Sequence, residues 1–248
     1  MDYDVVIVGG GPSGLSAAIK LAQIFKEKKQ EKSICVLEKS AEIGGHILSG
    51  NVFETTALDE LIPDWKEKNA PLNVPVKKDA IKFLLNDKLS IPVPSFLMPT
   101  MKNHGNYIIS LANLCRWLAE QAESLGVDIF PGFPAAEIIY KEGKVAGVIT
   151  GDMGKDSKGN EKDSFQPGME IFANESTVFA EGCRGNLGKQ LIKKFELDKG
   201  KDPQHYGIGF KEIWEVDNEH HSEGLVMHTN GWPLPDDTPG GSYMYHAE

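Results

Sequence analysis

The decapeptide VVIVGGGPSG, residues 5–14, restricts the start of the chain to one kind of fold. Asp4 to Val8 is short, β-branched and apolar, the pattern of a strand buried on both faces of a parallel sheet. Gly9, Gly11 and Gly14 follow as G-x-G-x-x-G, and Leu15, Ala18, Ile19, Ala22 and Phe25 then recur at helical spacing. The charged run KEKKQEK ends that helix, and SICVL, residues 33–37, reads as a second buried strand. Strand, helix and strand in so short a span form a βαβ unit with a right-handed crossover.

Each glycine has a physical task. Gly9 permits the tight turn out of the strand, Gly11 lets the backbone meet a pyrophosphate without a Cβ between them, and Gly14 allows close helix–strand packing. The helix opens at Pro12 and Ser13, where free N–H groups and the dipole attract an anion. Glu38 ends the second strand, and a carboxylate there accepts ribose hydroxyls and repels a 2′-phosphate, which disfavours NADP. Beyond it comes KSAEIGGHILSG. A second Gly-Gly pair, Gly44 and Gly45, so soon after Lys39 is typical of FAD proteins of the glutathione-reductase class, whose nucleotide motif also sits at the N-terminus.

The remaining pattern is mixed. Residues 81–85 and 89–91 flank Asn86-Asp87 as a hairpin, and 136–140 and 145–149 flank KEGK as another. Leu111 to Leu125 has helical period, and 127–130 and 176–180 read as strands. Residues 151–168 are polar and glycine-rich, the composition of a mobile loop. GCRGNL opens a helix reaching Phe195, and after Asp202 YGIGFKEIWEV and GLVMHTNGW are β-like, with an apparent strand running to Glu248.

With 36 acidic and 26 basic residues, a net charge of −10, the chain lacks the basic face that a nucleic-acid partner needs. No run approaches a membrane-spanning length. Cys35, Cys115 and Cys183 are too sparse for a disulfide framework and read as packed, inert thiols. His220-His221 has no third ligand in view and reads as a solvated loop. One segment stands out: IPVPSFLMPTMKNH, residues 91–104, carries three prolines and must be a loop, yet it is apolar.

EKSAEIGGHILSGNVFE, LIPDW, the proline-rich loop ending in NHGNYI, WLAEQAESLGV, FAEGCRGNLGKQL, YGIGFKEIWEV and the GWPL…GGSYMYH tail together resemble the electron transfer flavoprotein–ubiquinone oxidoreductase family. Geranylgeranyl reductases share the nucleotide motif but not the LIPDW or NHGNYI strings. The resemblance implies an α/β fold. Residues 1–200 would be a FAD-binding Rossmann-like domain of the glutathione-reductase class with inserted β-rich segments. Residues 201–248 would begin a partial second, α+β domain. It implies an enzyme with one FAD and one four-iron, four-sulfur cluster, passing electrons from reduced electron transfer flavoprotein to ubiquinone. Such an enzyme works at a membrane surface, on the cytoplasmic face of a bacterial inner membrane or at the mitochondrial inner membrane. Family members are more than twice as long, with their cluster cysteines near the C-terminus. The chain is therefore expected to be an N-terminal fragment that binds FAD weakly alone.

The resemblance also suggests roles for particular residues. Gly182 and Arg184, at a strand-to-helix turn, would lie against the cofactor, with Arg184 as a plain surface cation the alternative. Ala136 would offer backbone contacts to adenine. His46 would either approach the flavin or cap a loop. Phe96, Leu97, Met98 and Met101 would form the quinone entrance and dip into the membrane, the alternative being that the loop packs as core. A reductase of prenyl-lipid double bonds and a non-enzymatic nucleotide-binding module remain as competing functions.

Overall fold

The computed structural model describes residues 1–48, 50–235 and 237–247; the strand end expected at Glu248 lies outside them. In chain order the elements are β1 (Asp2–Val8), α1 (Pro12–Glu27), β2 (Ile34–Glu38), β3 (Asn51–Phe53), α2 (Thr56–Leu61), β4 (Val74–Pro75), β5 (Lys78–Leu84) and β6 (Ser90–Pro92). After two 3₁₀ turns, Ser95–Leu97 and Pro99–Met101, come β7 (Tyr107–Ile109), α3 (Leu111–Ser124), β8 (Asp128–Pro131), β9 (Ala135–Lys141) and β10 (Lys144–Thr150). Then follow β11 (Met153–Lys155), β12 (Glu161–Gln166), β13 (Glu170–Phe179), α4 (Asn186–Phe195), β14 (Leu225–Gly231) and β15 (Ser242–Tyr245).

The chain divides into two compact units, Met1–Ile47 with Cys115–Gly209 and Leu48–Leu114 with Phe210–Glu248. In the first, the strand order is β8-β2-β1-β13-β10-β9. β8, β2, β1 and β13 are mutually parallel, and β10 and β9 add on antiparallel. Burial follows the apolar patterning: Val6, Val8, Cys35, Leu37, Val148, Ile171 and Leu187 form one cluster, and α1 buries Leu15, Ala18, Ile19 and Ala22. Each large side chain so buried contributes about 1.5–3 kcal/mol. Pro12 takes the first position of α1, where a missing N–H costs nothing and its fixed φ suits the helix. Burial pushes the Cys35 thiol up to about 12, helped by the Asp128 charge, and the Cys115 thiol to about 11, helped by Glu38. Both are inert packing groups at neutral pH, but Cys183 is exposed and not packed as the sequence suggested.

The second unit holds a four-stranded sheet, β15-β14-β5-β6, and a three-stranded sheet, β3-β7-β4. Val74, Val76, Ile108 and Val226 form its core. The β5–β6 hairpin forms where the sequence placed it, because Asn86 Oδ1 accepts hydrogen bonds from the N–H groups of Lys88 (2.9 Å) and Leu89 (2.8 Å). β5 pairs in parallel with β14, from Lys78 opposite Leu225 to Leu84 opposite Gly231. The apolar loop therefore belongs to the same unit as residues 210–247, whereas the sequence reading grouped it with the nucleotide-binding residues.

Two further expectations are corrected. Residues 151–168 are not simply loop: β11 and β12 pair there as an antiparallel hairpin. Neither face of it is buried, so no apolar alternation marked it. YGIGFKEIWEV forms no strand: residues 202–217 have no regular structure, and Ile208, Phe210, Ile213 and Trp214 are exposed. A strand needs a partner ladder, and none among the described residues pairs with this segment.

Candidate functional site

The G-x-G-x-x-G turn lies beyond the carboxyl ends of β1, β2 and β13, where parallel α/β sheets bind ligands. Gly9 N–H donates to Leu37 O at 2.8 Å, and Ala180 N–H donates to Val8 O at 2.8 Å. Gly9 has φ +109°, and a Cβ there would sit 2.4 Å from Ala180 O. A Cβ on Gly14 would sit 1.9 Å from Gly9 O. These two glycines are required by backbone–backbone packing. Gly11 is different: a Cβ there would meet nothing within 4 Å, and its φ of −84° suits any residue. Its α-carbon faces open space at the N-terminus of α1, which no side chain among the described residues caps and whose opening residues Pro12 and Ser13 are exposed.

Glu38 stands beside this turn. One carboxylate oxygen accepts from Gly10 N–H at 2.8 Å and the other from Ser40 N–H at 2.8 Å. Two backbone bonds therefore fix the carboxylate, and each oxygen keeps a lone pair for a further donor. Ser40 is buried, and a Cβ on Gly45 would meet its Oγ at 2.4 Å, so the Gly44-Gly45 turn closes over it. Gly44 has φ +84°, while Lys39 and His46 are exposed on the rim. The segment after β8 crosses beside them: Gly132 N–H donates to Ser40 O at 2.7 Å and Phe133 N–H to Glu38 O at 3.0 Å. Ala136 lies exposed in β9, three positions further on. Sequence reasoning missed Gly10 and Ser40, whose contribution is a backbone N–H that carries no residue-type signal.

Gly182 and Arg184 lie on the turn from β13 to α4. Gly182 has φ +79° and is exposed, and the Arg184 guanidinium stacks 5.0 Å from the Tyr206 ring. The N-terminus of α4 is occupied from within: Glu181 accepts from Leu187 N–H (3.2 Å) and Gly188 N–H (2.8 Å). That carboxylate supplies the negative charge the helix end attracts. Replacing Glu181 by Ala is expected to lower stability by about 1 kcal/mol, the value of a helix cap, measured as a shift in urea unfolding.

In the second unit the apolar loop splits. Phe96 and Leu97 point outward, 72% and 62% exposed, and Phe83, Leu85, Leu89 and Ile91 of the hairpin are exposed as well. Met98 and Met101 are half-buried and, with Ile81, His228, Thr229 and Tyr243, help line a cavity of about 190 Å³. Two of the four apolar side chains thus face outward and two face a cavity, and the loop is coiled into 3₁₀ turns. His220 is exposed, and His221 lies 5.4 Å from the His246 ring. Among the described residues no group of three or more His, Cys, Asp or Glu is placed to hold a metal, and no helix is long and apolar enough to cross a membrane.

A parallel sheet flanked by α1, a glycine turn against β13 and a clamped carboxylate at the end of β2 define a Rossmann-like dinucleotide-binding protein. Residues 7–63 match the model of the NAD(P)-binding Rossmann-like domain, and residues 206–248 match the model described as ETF-QO, ubiquinone-binding. The electron transfer flavoprotein-ubiquinone oxidoreductase of Pseudomonas aeruginosa is 59% identical over 251 residues, covering 100% of this chain and 45% of that protein. The mitochondrial one of Mus musculus is 51% identical, covering 99% of this chain and 40% of that protein. A geranylgeranyl bacteriochlorophyll reductase-like crystal structure from Thermoplasma acidophilum superposes with a TM-score of 0.58 at 18% identity, covering 98% of this chain and 53% of the other, a likeness of fold. The chain belongs to the electron transfer flavoprotein–ubiquinone oxidoreductase family, corresponds to the amino-terminal part of those relatives, and spans less than half of their length.

Proposed function

We propose that this chain is the FAD-binding and quinone-binding part of an oxidoreductase that takes electrons from reduced electron transfer flavoprotein and delivers them to ubiquinone. The observation that carries the reading is the open face of Gly11 beside a carboxylate already oriented by two backbone N–H groups. The uncapped N-terminus of α1, with Pro12, Ser13 and Gly14, receives the pyrophosphate, and Glu38 accepts the adenosine ribose hydroxyls. Lys39, Gly44, Gly45 and His46 line the path from the ribose, and Ala136, Gly182 and Arg184 lie along the far side. Bound there, FAD supplies one- and two-electron redox chemistry, and the protein supplies its position and shields it from water. The full-length protein carries in addition a four-iron, four-sulfur cluster, whose ligands we assign to residues outside this chain.

The cavity under Met98 and Met101 takes the quinone ring. It has the volume of about six waters, at roughly 30 Å³ each, enough for one substituted ring. Phe96 and Leu97, with Ile91 and Trp232, supply an exposed apolar rim for attachment to a membrane surface, bacterial or mitochondrial inner.

The test is the full-length protein purified from a membrane-containing host. It should carry flavin absorbance and reduce a ubiquinone analogue only when reduced electron transfer flavoprotein is supplied; a colourless preparation that takes up no added FAD would overturn the reading. Replacing Glu38 by Gln turns an amide N–H₂ toward Gly10 or Ser40 N–H, donor against donor. Flavin affinity should fall at least tenfold, about 1.4 kcal/mol, with a similar loss of stability, read by flavin titration and urea unfolding.

A further inference from the structure

We propose that His228 hands a proton to the quinone as it is reduced. The inference rests on the quinone reading of the cavity above, and its test separates the two.

In β14, His228 stands opposite Ile81 of β5 and Tyr243 of β15. Side chains alternate along a strand, so Val226 and His228 share a face, and directly paired residues on neighbouring strands share it too. Where Val226 meets Val74 and Ile108, that face is sealed core. One step along, at His228, it borders the cavity roofed by Met98 and Met101. The roof is held in place. Asn103 donates through its backbone N–H to Asp79 Oδ2 (3.0 Å) and through Nδ2 to Asp79 Oδ1 (2.7 Å) and Met101 O (3.0 Å). Val93 N–H donates to Ile81 O at 2.8 Å, so both ends of the loop are tied to β5.

The cavity lining is mostly apolar or neutral. Thr229 and Ser242 hydroxyls face each other at 2.5 Å. Among the described lining side chains His228 is the one that carries an imidazole, the side chain most often used for proton transfer. A quinone that gains two electrons becomes a quinol only by gaining two protons, and an oxygen left charged in an apolar pocket is costly. The electrons are those that the proposed activity delivers from the reduced flavoprotein donor. One quinone oxygen takes the imidazolium proton, forming an O–H bond and leaving neutral imidazole, which regains its proton from water. The other oxygen is protonated from solvent. The ionisable groups around His228 are few. Tyr243 and Tyr245 come from β15, with Lys211 over the Tyr243 ring at 5.7 Å. Asp79 comes from β5 and is occupied by Asn103, and Lys102 of the loop is exposed. None of these carries a second imidazole.

The experiment uses the full-length enzyme with decyl-ubiquinone as acceptor, followed from about pH 6 to 9. His228→Asn is expected to lower kcat for quinone reduction by about 100-fold or more, the scale of general-acid catalysis. It should also abolish the kcat fall with rising pH, and leave unchanged the reduction of the flavin by the donor protein. Met98→Trp, which fills the cavity, should weaken decyl-ubiquinone binding. If Met98→Trp weakens binding but His228→Asn retains kcat and the pH limb, the proton-donor role is overturned and the quinone site stands. If Met98→Trp leaves binding unchanged, the site itself is overturned and the role with it. The unmodified enzyme gives a check that no variant can spoil: a flat kcat across the same pH range overturns the role of His228.

Discussion

Gly11→Ala should leave the protein folded and strip it of flavin, whereas Gly14→Ala should break the packing on which the site is built. At Gly11 a Cβ meets no atom within 4 Å, and the backbone, at φ −84° and ψ −176°, lies in a region open to every residue. The stability change should stay within about 0.5 kcal/mol, as for surface substitutions. The same methyl group occupies the space through which the backbone approaches a pyrophosphate, so flavin affinity should fall at least 100-fold, about 2.8 kcal/mol at 1.4 kcal/mol per tenfold. At Gly14 the methyl group would stand 1.9 Å from Gly9 O, a backbone atom of a residue whose own N–H is bonded to Leu37 O. α1 must then move off β1, and the cost should reach about 3 kcal/mol, the upper end for overpacking. That is a large part of a typical stability of roughly 5–15 kcal/mol. Urea unfolding and flavin content of the full-length protein separate the two cases. A Gly11→Ala protein with a full complement of tightly bound flavin would refute the assignment of this turn to the pyrophosphate.

The contrast between these glycines shows what a sequence reveals. G-x-G-x-x-G is legible because steric demand is local: each glycine is set by atoms within a few residues or on the next strand. Glu38 is legible for the same reason, since it ends a strand whose burial is written in ICVL. Its two clamps are invisible, because Gly10 and Ser40 act through backbone N–H groups. Glu181 is an intermediate case. An acidic residue shortly before a helix is a recognisable N-terminal signal, yet reading the turn for phosphate contacts drew attention to Gly182 and Arg184 instead. The parallel pairing of β5 with β14 has no trace in either segment alone, since nothing in KDAIKFL names LVMHTNG as its neighbour. That pairing decides which residues surround His228, so the proposed quinone cavity was hidden while the glycine turn was plain. The same non-local geometry separates Phe96 and Leu97 from Met98 and Met101, four apolar residues that composition alone treats as equivalents.

Phe96→Ser with Leu97→Ser, made together in the full-length protein, should detach it from vesicles without weakening its fold. Both side chains are mostly exposed, 72% and 62%, so their removal costs little internal packing, and the urea midpoint should not move beyond about 0.5 kcal/mol. Moved from water into an acyl boundary, each contributes about 1.5–3 kcal/mol. Losing both removes roughly 3–6 kcal/mol, a drop in vesicle partition of at least 100-fold at 1.4 kcal/mol per tenfold. Decyl-ubiquinone in solution should still be reduced at the normal rate, because Met98 and Met101 keep the roof of the cavity, tied through Asn103 to Asp79. Reduction of a long-tailed quinone held in the bilayer should fall with partition. The two readouts are linked by geometry: the outward pair ends the first 3₁₀ turn, and the chain runs directly through Met98 into the second turn, which ends at Met101, so a surface that docks the loop also presents the lipid phase to the cavity mouth. Unchanged partition in the double variant would show that the outward side chains have another purpose, and the entry route to the cavity would have to be sought elsewhere on the second unit.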